Sequence, residues 1–220
     1  MSDLTFFESV VRMPLVNLTA RSTLVPLKNN KFVLISPVKF DEVQRSELLK
    51  ANPEAIVSPS CFHHLFIKAA HDYLPEAKLY GAPGLQRKRA DIKWDGILTE
   101  NSWPYQDELK AIFIEGAPKI NEVVFYHRDS KTLIVTDLLF NLKNLKSIPE
   151  KLVYGLMGTF NVPAVSRLVK LLTKDRKALK KSLQQVLVLD FDRLVMAHGE
   201  IIPTGGKKIM TDALRARDLL

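Results

Sequence analysis

Four side chains suited to metal binding stand where predicted strands end. His63 and His64 lie side by side between a predicted buried strand and a predicted helix. Asp137 directly follows an apolar run, and His198 follows the last predicted strand, with Gly199 next to turn the chain. Imidazole and carboxylate groups are suitable ligands for zinc, iron or manganese. A histidine pair at a helix start is also typical of a capping or surface role, so the residue types alone leave both interpretations open.

The hydrophobic pattern predicts an α/β fold, in which strands and helices alternate in the first part of the chain. Short apolar runs predict strands within 21–36 and at 55–57, 77–80, 111–114, 122–127 and 132–136, with a last one within 187–196. Helical periodicity predicts helices at 41–50, 64–73 and 162–185, the last with a buried stripe of Leu168, Leu172, Leu179 and Leu183. Ligands of open α/β sheets gather beyond the carboxyl ends of strands. The histidines and Asp137 fall at such ends.

The composition predicts a single domain, 1–220, that buries a sizeable core, since 46% of the 220 residues are hydrophobic. No run of eighteen apolar residues is present, and the N-terminal residues lack the pattern of a secretory signal. Cys61 is the single cysteine, so no disulfide can form within the chain, which fits a reducing compartment. We therefore expect a cytoplasmic location and no membrane partner.

The net charge of +8 permits an anionic partner such as nucleic acid or a phosphorylated small molecule. Lys170, Lys174, Lys177 and Lys181 recur at helical spacing within the predicted helix 162–185. Such a charge run usually solvates a helix face, and no aromatic residues interleave with the lysines to stack bases. A small-molecule substrate is therefore expected, with nucleic acid as the less favoured partner.

Three motifs carry a resemblance to a known family. They are S-P-S-C-F-H-H at 58–64, K-T-L-I-V-T-D-L-L-F at 131–140 and L-V-M-A-H-G at 194–199. With the order of elements, they resemble the T-H-x-H-x-D-H, T-G-D-x-L-F and P-G-H-G motifs of the metallo-β-lactamase superfamily, in a branch of unknown function. The resemblance covers most of 21–215. It implies a metallo-β-lactamase-like αββα sandwich, with an additional helical insert near residues 141–185.

The departures from the family pattern concern the first of its two metal sites. The three positions that resemble the ligands of that site read Pro59, Cys61 and Pro118. Proline has no ligating side chain, so this first site is predicted to be lost. Asn121 and Glu122 stand near the third altered position and are candidates for polar contacts with a substrate.

The second metal site of the family is predicted to be retained. Its positions read His63, His64, Asp137 and His198, and each of these side chains can bind a metal. The resemblance therefore implies one divalent metal ion, zinc, iron or manganese. Asp137 is in addition the candidate catalytic residue, as a group that orients water.

These predictions favour a mononuclear, metal-dependent, hydrolase-like protein whose substrate the sequence does not identify. Four protein ligands would fill a tetrahedral shell, as in structural zinc sites, so catalysis requires either a larger shell or one of the four left unbound. Two alternatives remain. One is a non-catalytic member of the family that binds a ligand or partner in the cleft where the family has its active site, and the other is a basic nucleic-acid-binding protein.

Overall fold

The computed structural model describes residues 3–220, so the first two residues of the predicted domain 1–220 lie outside it. The strands are β1 Thr5–Arg12, β2 Asn17–Pro26, β3 Phe32–Ile35, β4 Ala55–Ser58, β5 Lys78–Gly81, β6 Gly96–Ile97, β7 Leu109–Phe113, β8 Val123–His127, β9 Thr132–Val135 and β10 Arg193–Met196. The α-helices are α1 Glu42–Ala51, α2 Ile67–Tyr73, α3 Leu85–Lys88, α4 Ile148–Met157, α5 Arg167–Leu172, α6 Arg176–Val188 and α7 Gly206–Arg215. Within residues 3–220, no helix combines the length and apolar character needed to cross a membrane.

Two sheets form the centre of the molecule. One has the strand order β1-β2-β3-β4-β5-β6 and the other the order β10-β9-β8-β7. Successive side chains of a strand point to opposite faces, and the buried runs use both faces. In β8, Val123 and Phe125 pack between the two sheets, whereas Val124 and Tyr126 pack against the outer helices. Fully apolar strands are therefore explained by burial on both sides.

Helices cover the outer face of each sheet. Leu48 of α1 and Ile67 of α2 share a core with Leu34 and Ile56 of the six-stranded sheet. On the other side, α6 and α7 pack against the four-stranded sheet, burying side chains such as Leu183. The layers are helix, sheet, sheet and helix, which confirms the predicted αββα sandwich.

The pairing of β9 with β10 places two of the candidate ligands. These strands are parallel, with Val135 opposite Met196 at their carboxyl ends. Asp137 and His198 each follow two residues later, so the register of the pair brings them to the same edge of the sheet. The turn that contains His63 leaves the carboxyl end of β4 in the facing sheet, between that strand and α2.

The predicted helix over 162–185 is wrong as one element. The structure has two helices, α5 and α6, separated by an extended segment at 173–175. Asp175 caps α6 by accepting hydrogen bonds from the amides of Lys177 and Ala178, and the amides of Lys174 and Asp175 donate to the Gly116 carbonyl. A capping side chain starts a new helix at this point, which the leucine spacing alone does not reveal.

The predicted buried stripe is divided in the same way. Leu179 and Leu183 on α6 are fully buried, but Leu168 on α5 is 38% exposed. The lysine stripe is likewise distributed over two helices and the segment between them, and Lys170 forms an ion pair with Asp218. The region from 141 to 185 is nevertheless mostly helical, as predicted.

Candidate metal centre

Three of the predicted ligands meet between the two sheets. The Nε2 atoms of His63 and His198 lie 3.2 Å apart. Asp137 Oδ1 lies 3.5 Å from His63 Nε2 and 3.9 Å from His198 Nε2. The His63 and Asp137 side chains are only 10% and 12% exposed, and that of His198 is 5% exposed. The structure thus directs two imidazole nitrogens and a carboxylate oxygen at one small volume.

His198 is held by its other ring nitrogen. Its Nδ1 lies 2.8 Å from the backbone carbonyl of Thr19, which can only accept a hydrogen bond. The proton of a neutral His198 is therefore on Nδ1, and Nε2 presents a lone pair to the site. The ring also stacks on Phe140, with 4.9 Å between centroids. These contacts fix both the tautomer and the orientation that a metal ligand needs.

His63 is positioned by the turn that follows β4. Its Nδ1 lies 2.7 Å from the Ser36 hydroxyl, and its carbonyl accepts a hydrogen bond from Ser58 Oγ. Ser60 Oγ accepts hydrogen bonds from the amides of Phe62 and His63, which shapes the turn. Three serines therefore hold His63 with its Nε2 facing the site.

The same Ser60 hydroxyl connects this turn to the third ligand. Ser60 is fully buried and donates to Asp137 Oδ2 at 2.8 Å. The other carboxylate oxygen, Oδ1, is the one that faces His63 and His198. Ser60 thus orients the carboxylate in the way that supporting hydrogen bonds orient ligating groups in metal sites.

The electrostatics favour an ionised Asp137. Burial alone would raise the pKa of this carboxyl, but the charge of His63 and its hydrogen bond hold it below the usual value. Burial lowers the pKa of His63, and the Asp137 carboxylate more than reverses this, so the net shift is upward. Burial, followed by the charge of His63, lowers the pKa of His198 to about 4. Between them the three side chains supply one anionic oxygen and at least one neutral imidazole near neutral pH.

The three groups fit a divalent metal ion. Ligand atoms about 2.0–2.1 Å from a tetrahedral zinc ion lie roughly 3.3–3.4 Å from one another. The observed separations of 3.2, 3.5 and 3.9 Å bracket that spacing. Two imidazoles and one carboxylate also suit iron and manganese. Among residues 3–220 this is the group of three or more metal-binding side chains that converges on one point.

The structure does not bring His64 into this group. Its Nδ1 lies 3.2 Å from Arg89 Nη1, which also donates to the His64 carbonyl at 2.8 Å. Burial and the positive charges of Lys88 and Arg89 lower the pKa of His64. The turn before α2 is irregular, so adjacent side chains point in different directions, and His64 faces a guanidinium group instead of the other candidate ligands.

The three altered positions contribute no metal-binding group. Pro59 is buried and Pro118 is exposed in the loop between β7 and β8. Cys61 is buried, its Sγ lies 3.5 Å from the Pro83 carbonyl, and burial raises the pKa of its thiol. A thiol of this kind is typical of a small apolar core residue.

Two further candidates lie beside the site in supporting roles. Asn121 donates to the Pro83 carbonyl at 2.9 Å. Glu122 is 3% exposed and accepts a hydrogen bond of 2.6 Å from the Thr136 amide. Burial and the neighbouring Asp137 charge raise the pKa of Glu122 to about 8. Both side chains contact the protein itself, so Glu122 is a buried acid next to the ligands rather than a surface for substrate.

The residues that support the ligands were not identified from sequence. Ser36, Ser60 and Thr19 come from three separate turns and strands, and Thr19 acts through its backbone carbonyl. A serine next to a proline or after an apolar strand is too common to indicate such a role. The supporting role of these residues becomes recognisable only in the folded structure, where the two sheets bring the segments together.

Solved structures share the overall fold. The metallo-β-lactamase DIM-1, in a crystal exposed to ceftazidime, matches with a TM-score of 0.66 and 13% identity, over 99% of this chain and 94% of its own. A metallo-β-lactamase from Pontibacter korlensis matches with a TM-score of 0.64 and 14% identity, over 98% and 96%. The metal-soaked flavodiiron core Flv1 from Synechocystis sp. PCC6803 matches with a TM-score of 0.65 and 14% identity, over 97% of this chain and 58% of its own.

Sequence comparison is less informative about activity. No curated protein sequence matches the chain. A family model described as a domain of unknown function, DUF4336, matches residues 3–157, which is more than half of the chain. The chain therefore belongs to the DUF4336 family and has the metallo-β-lactamase fold.

Proposed function

We propose that the protein is a mononuclear metal-dependent hydrolase whose metal ligands are His63, Asp137 and His198. The observation that carries this proposal is the convergence of three ligand atoms within 3.2–3.9 Å while His64 faces Arg89. Three protein ligands leave a coordination position open, which is the pattern of catalytic zinc sites, whereas structural sites have four. The departure of His64 removes the difficulty that four protein ligands would pose for catalysis.

The side chains have separable roles in this proposal. A bound divalent ion would act as a Lewis acid and lower the pKa of water at the open position. Ser60 orients Asp137, whose carboxylate contributes the negative charge of the site. The Thr19 carbonyl keeps the proton of His198 on Nδ1, away from the site. Glu122 holds a proton near the ligands at neutral pH, since its pKa is raised to about 8.

A second candidate function is binding without catalysis. His63 lies within hydrogen-bond distance of His198, at 3.2 Å, and close to Asp137, at 3.5 Å. These contacts would allow the three side chains to satisfy one another in a protein that only binds a ligand. By contrast, the division of the lysine stripe between two helices gives no support to the nucleic-acid alternative.

Elemental analysis of protein purified without a metal-affinity tag tests the proposal. We expect about one equivalent of zinc, iron or manganese in the wild type, consistent with a single site. His198→Ala should lose it, whereas His64→Ala, the matched control at the residue adjacent to His63, should retain it. Absence of metal from the wild type after reconstitution, or loss of metal in His64→Ala alone, would contradict the proposed ligand set.

Activity is the second part of the test. Metal-loaded wild type should hydrolyse members of an ester, thioester and lactone panel, and His198→Ala should not. Full metal occupancy together with inactivity across the panel would favour the binding function instead.

A further inference from the structure

The proposed metal ligands form one wall of a large cavity. The cavity has a volume of about 590 Å³, which is within the usual range for small-molecule sites. Its lining comes from the β1–β2 hairpin, the segment after β3, the turn before α2, helices α4 and α5, and the segments that follow β9 and β10. Any substrate that reaches the ligands must therefore fit this cavity.

Polar groups occupy only one part of the cavity. Ser36, His63, Asp137 and His198 are together at the proposed metal site. Tyr154 also lines the cavity, but its hydroxyl already donates to the Asn17 carbonyl at 3.0 Å. The remaining lining is apolar and consists of aliphatic, aromatic, methionine and proline side chains. The polar part of a ligand has one place to bind, and the rest of that ligand must be apolar.

Among residues 3–220, no lysine or arginine lines this cavity. A phosphate, sulfate or nucleotide is normally recognised by such cations or by a helix N-terminus. Their absence from the lining, in a chain with a net charge of +8, indicates that the basic residues serve other surfaces. A charged group in the apolar part of the cavity would therefore lack a counter-charge, which favours an uncharged chain there.

The mouth of the cavity is apolar as well. Met13 and Leu15 at the hairpin turn are 41% and 71% exposed, and Leu65 before α2 is 60% exposed. Phe62 and Leu168 are 39% and 38% exposed and also line the cavity. Exposed apolar residues grouped around a concave site are typical of a ligand-binding groove. A long apolar chain could remain in contact with this rim while its polar end lies at the ligands.

We infer that the substrate is an uncharged ester with a long aliphatic chain. The ester group lies at His63, Asp137 and His198, and the chain occupies the apolar part of the cavity between α4 and the β1–β2 hairpin. The reaction adds water across the acyl C–O bond and releases a carboxylic acid and an alcohol. This inference rests on the proposed function for the reaction, but chain binding does not depend on a metal and is tested separately.

The test of chain binding is isothermal titration calorimetry with n-butanol, n-hexanol and n-octanol, in the presence of a chelator. Their neutral hydroxyl group makes the comparison independent of the metal. We expect the Kd to fall by about 15-fold for each added pair of methylene groups until the cavity is full. Octanol bound no more tightly than butanol would overturn the inference.

Two variants locate the binding. Val153 on α4 lines the cavity, whereas its neighbour Leu152 is 63% exposed and does not. Val153→Phe should weaken octanol binding by roughly tenfold or more, because the larger ring takes the space of several methylenes. The matched control Leu152→Phe should leave it unchanged. Unchanged octanol affinity in Val153→Phe would exclude this cavity as the site.

A mouth variant guards against loss of folding in Val153→Phe. Leu168→Trp narrows the rim of the cavity from α5 and should also weaken octanol binding. Leu171→Trp, on the same helix but 79% exposed and outside the cavity lining, is its control and should leave octanol binding unchanged.

For metal-loaded protein, kcat/KM for p-nitrophenyl esters should rise with acyl length in the wild type and not in Val153→Phe. Chain-length-dependent binding without hydrolysis would refute the proposed reaction alone. Hydrolysis with no chain preference would refute the inference alone.

Discussion

His198 Nδ1 lies 2.8 Å from the carbonyl oxygen of Thr19, a residue of β2 in the opposite sheet. This contact joins the closing turn of the four-stranded sheet to the second strand of the six-stranded one. It also decides which nitrogen of His198 is free to bind a metal. The chemistry of the site therefore depends on how accurately the two sheets are held together at this point.

A substitution of Gly199 tests how far the metal site depends on the position of the turn after His198. It has a φ of +94°, and a Cβ atom there would lie 2.1 Å from the Asn141 carbonyl oxygen. Gly199→Ala should lower the free energy of unfolding by roughly 3 kcal/mol and weaken metal binding, because the turn after His198 must move. Urea denaturation and zinc titration measure the two effects.

Gly205 provides the matched control. Its φ is +70°, but apart from its two chain neighbours no heavy atom of residues 3–220 lies within 4 Å of an added Cβ. Gly205→Ala should cost about 1 kcal/mol, through the backbone conformation alone. Equal effects of the two substitutions on metal affinity would show that the position of His198 does not depend on this close approach.

Arg21, also on β2, holds the same turn. Its buried guanidinium donates to the Met196 and Gly199 carbonyls and forms an ion pair with Glu8, which is 52% exposed. Arg21→Met would leave two carbonyls without donors and should lower the free energy of unfolding by roughly 2–4 kcal/mol. Metal affinity, measured by competition with a chromogenic chelator, should fall as well.

A substitution of Glu8, the exposed partner of Arg21, separates the contribution of the ion pair from that of the hydrogen bonds to the carbonyls. Glu8→Gln removes the charge pair while leaving Arg21 bonded to the turn, so it should cost less than about 1 kcal/mol and preserve metal affinity. A loss in Glu8→Gln as large as in Arg21→Met would mean that the ion pair, and not the turn, is what matters.

Ser60 orients Asp137 and also shapes the turn that contains His63. Ser60→Ala removes the hydrogen bond to Oδ2 and should lower metal affinity by roughly 10–100-fold, the usual effect of losing a hydrogen bond to a metal ligand. The exposed Ser46→Ala on α1 is the control and should have no effect. Affinity unchanged in Ser60→Ala would argue that Asp137 is not a ligand.

The sequence predicted the placement of Asp137 and His198 because each follows an apolar strand, and β9 and β10 proved to be parallel neighbours in register. It did not predict the direction of His64. Two adjacent residues in an irregular turn have no periodicity from which a direction can be read, and Arg89 is 25 residues away in sequence.

The boundaries of the helical region failed for a related reason. Leucine spacing continues across the break between α5 and α6, but Asp175 and the Gly116 carbonyl decide where the second helix begins. The sequence pattern does not indicate strand β1 because it is an edge strand, paired among the described strands with β2 alone, and four of its eight residues are polar and not buried: Thr5, Glu8, Ser9 and Arg12. Tertiary contacts override local pattern at these places.

Glu122 gives the protein a pH dependence that can be measured with the metal removed. Burial and the Asp137 charge raise its pKa from 4.5 to about 8, so the folded state holds a proton that the unfolded state releases above pH 4.5. The stability associated with this proton is complete below pH 4.5 and is lost as the pH rises through 8.

Glu122→Gln mimics the protonated acid and can still accept from the Thr136 amide. In the presence of a chelator, the variant should be more stable than the wild type by roughly 4 kcal/mol at pH 8, with little difference at pH 4.5. Urea denaturation across this range measures both curves, and parallel curves for the two proteins would show that Glu122 is already ionised in the folded state.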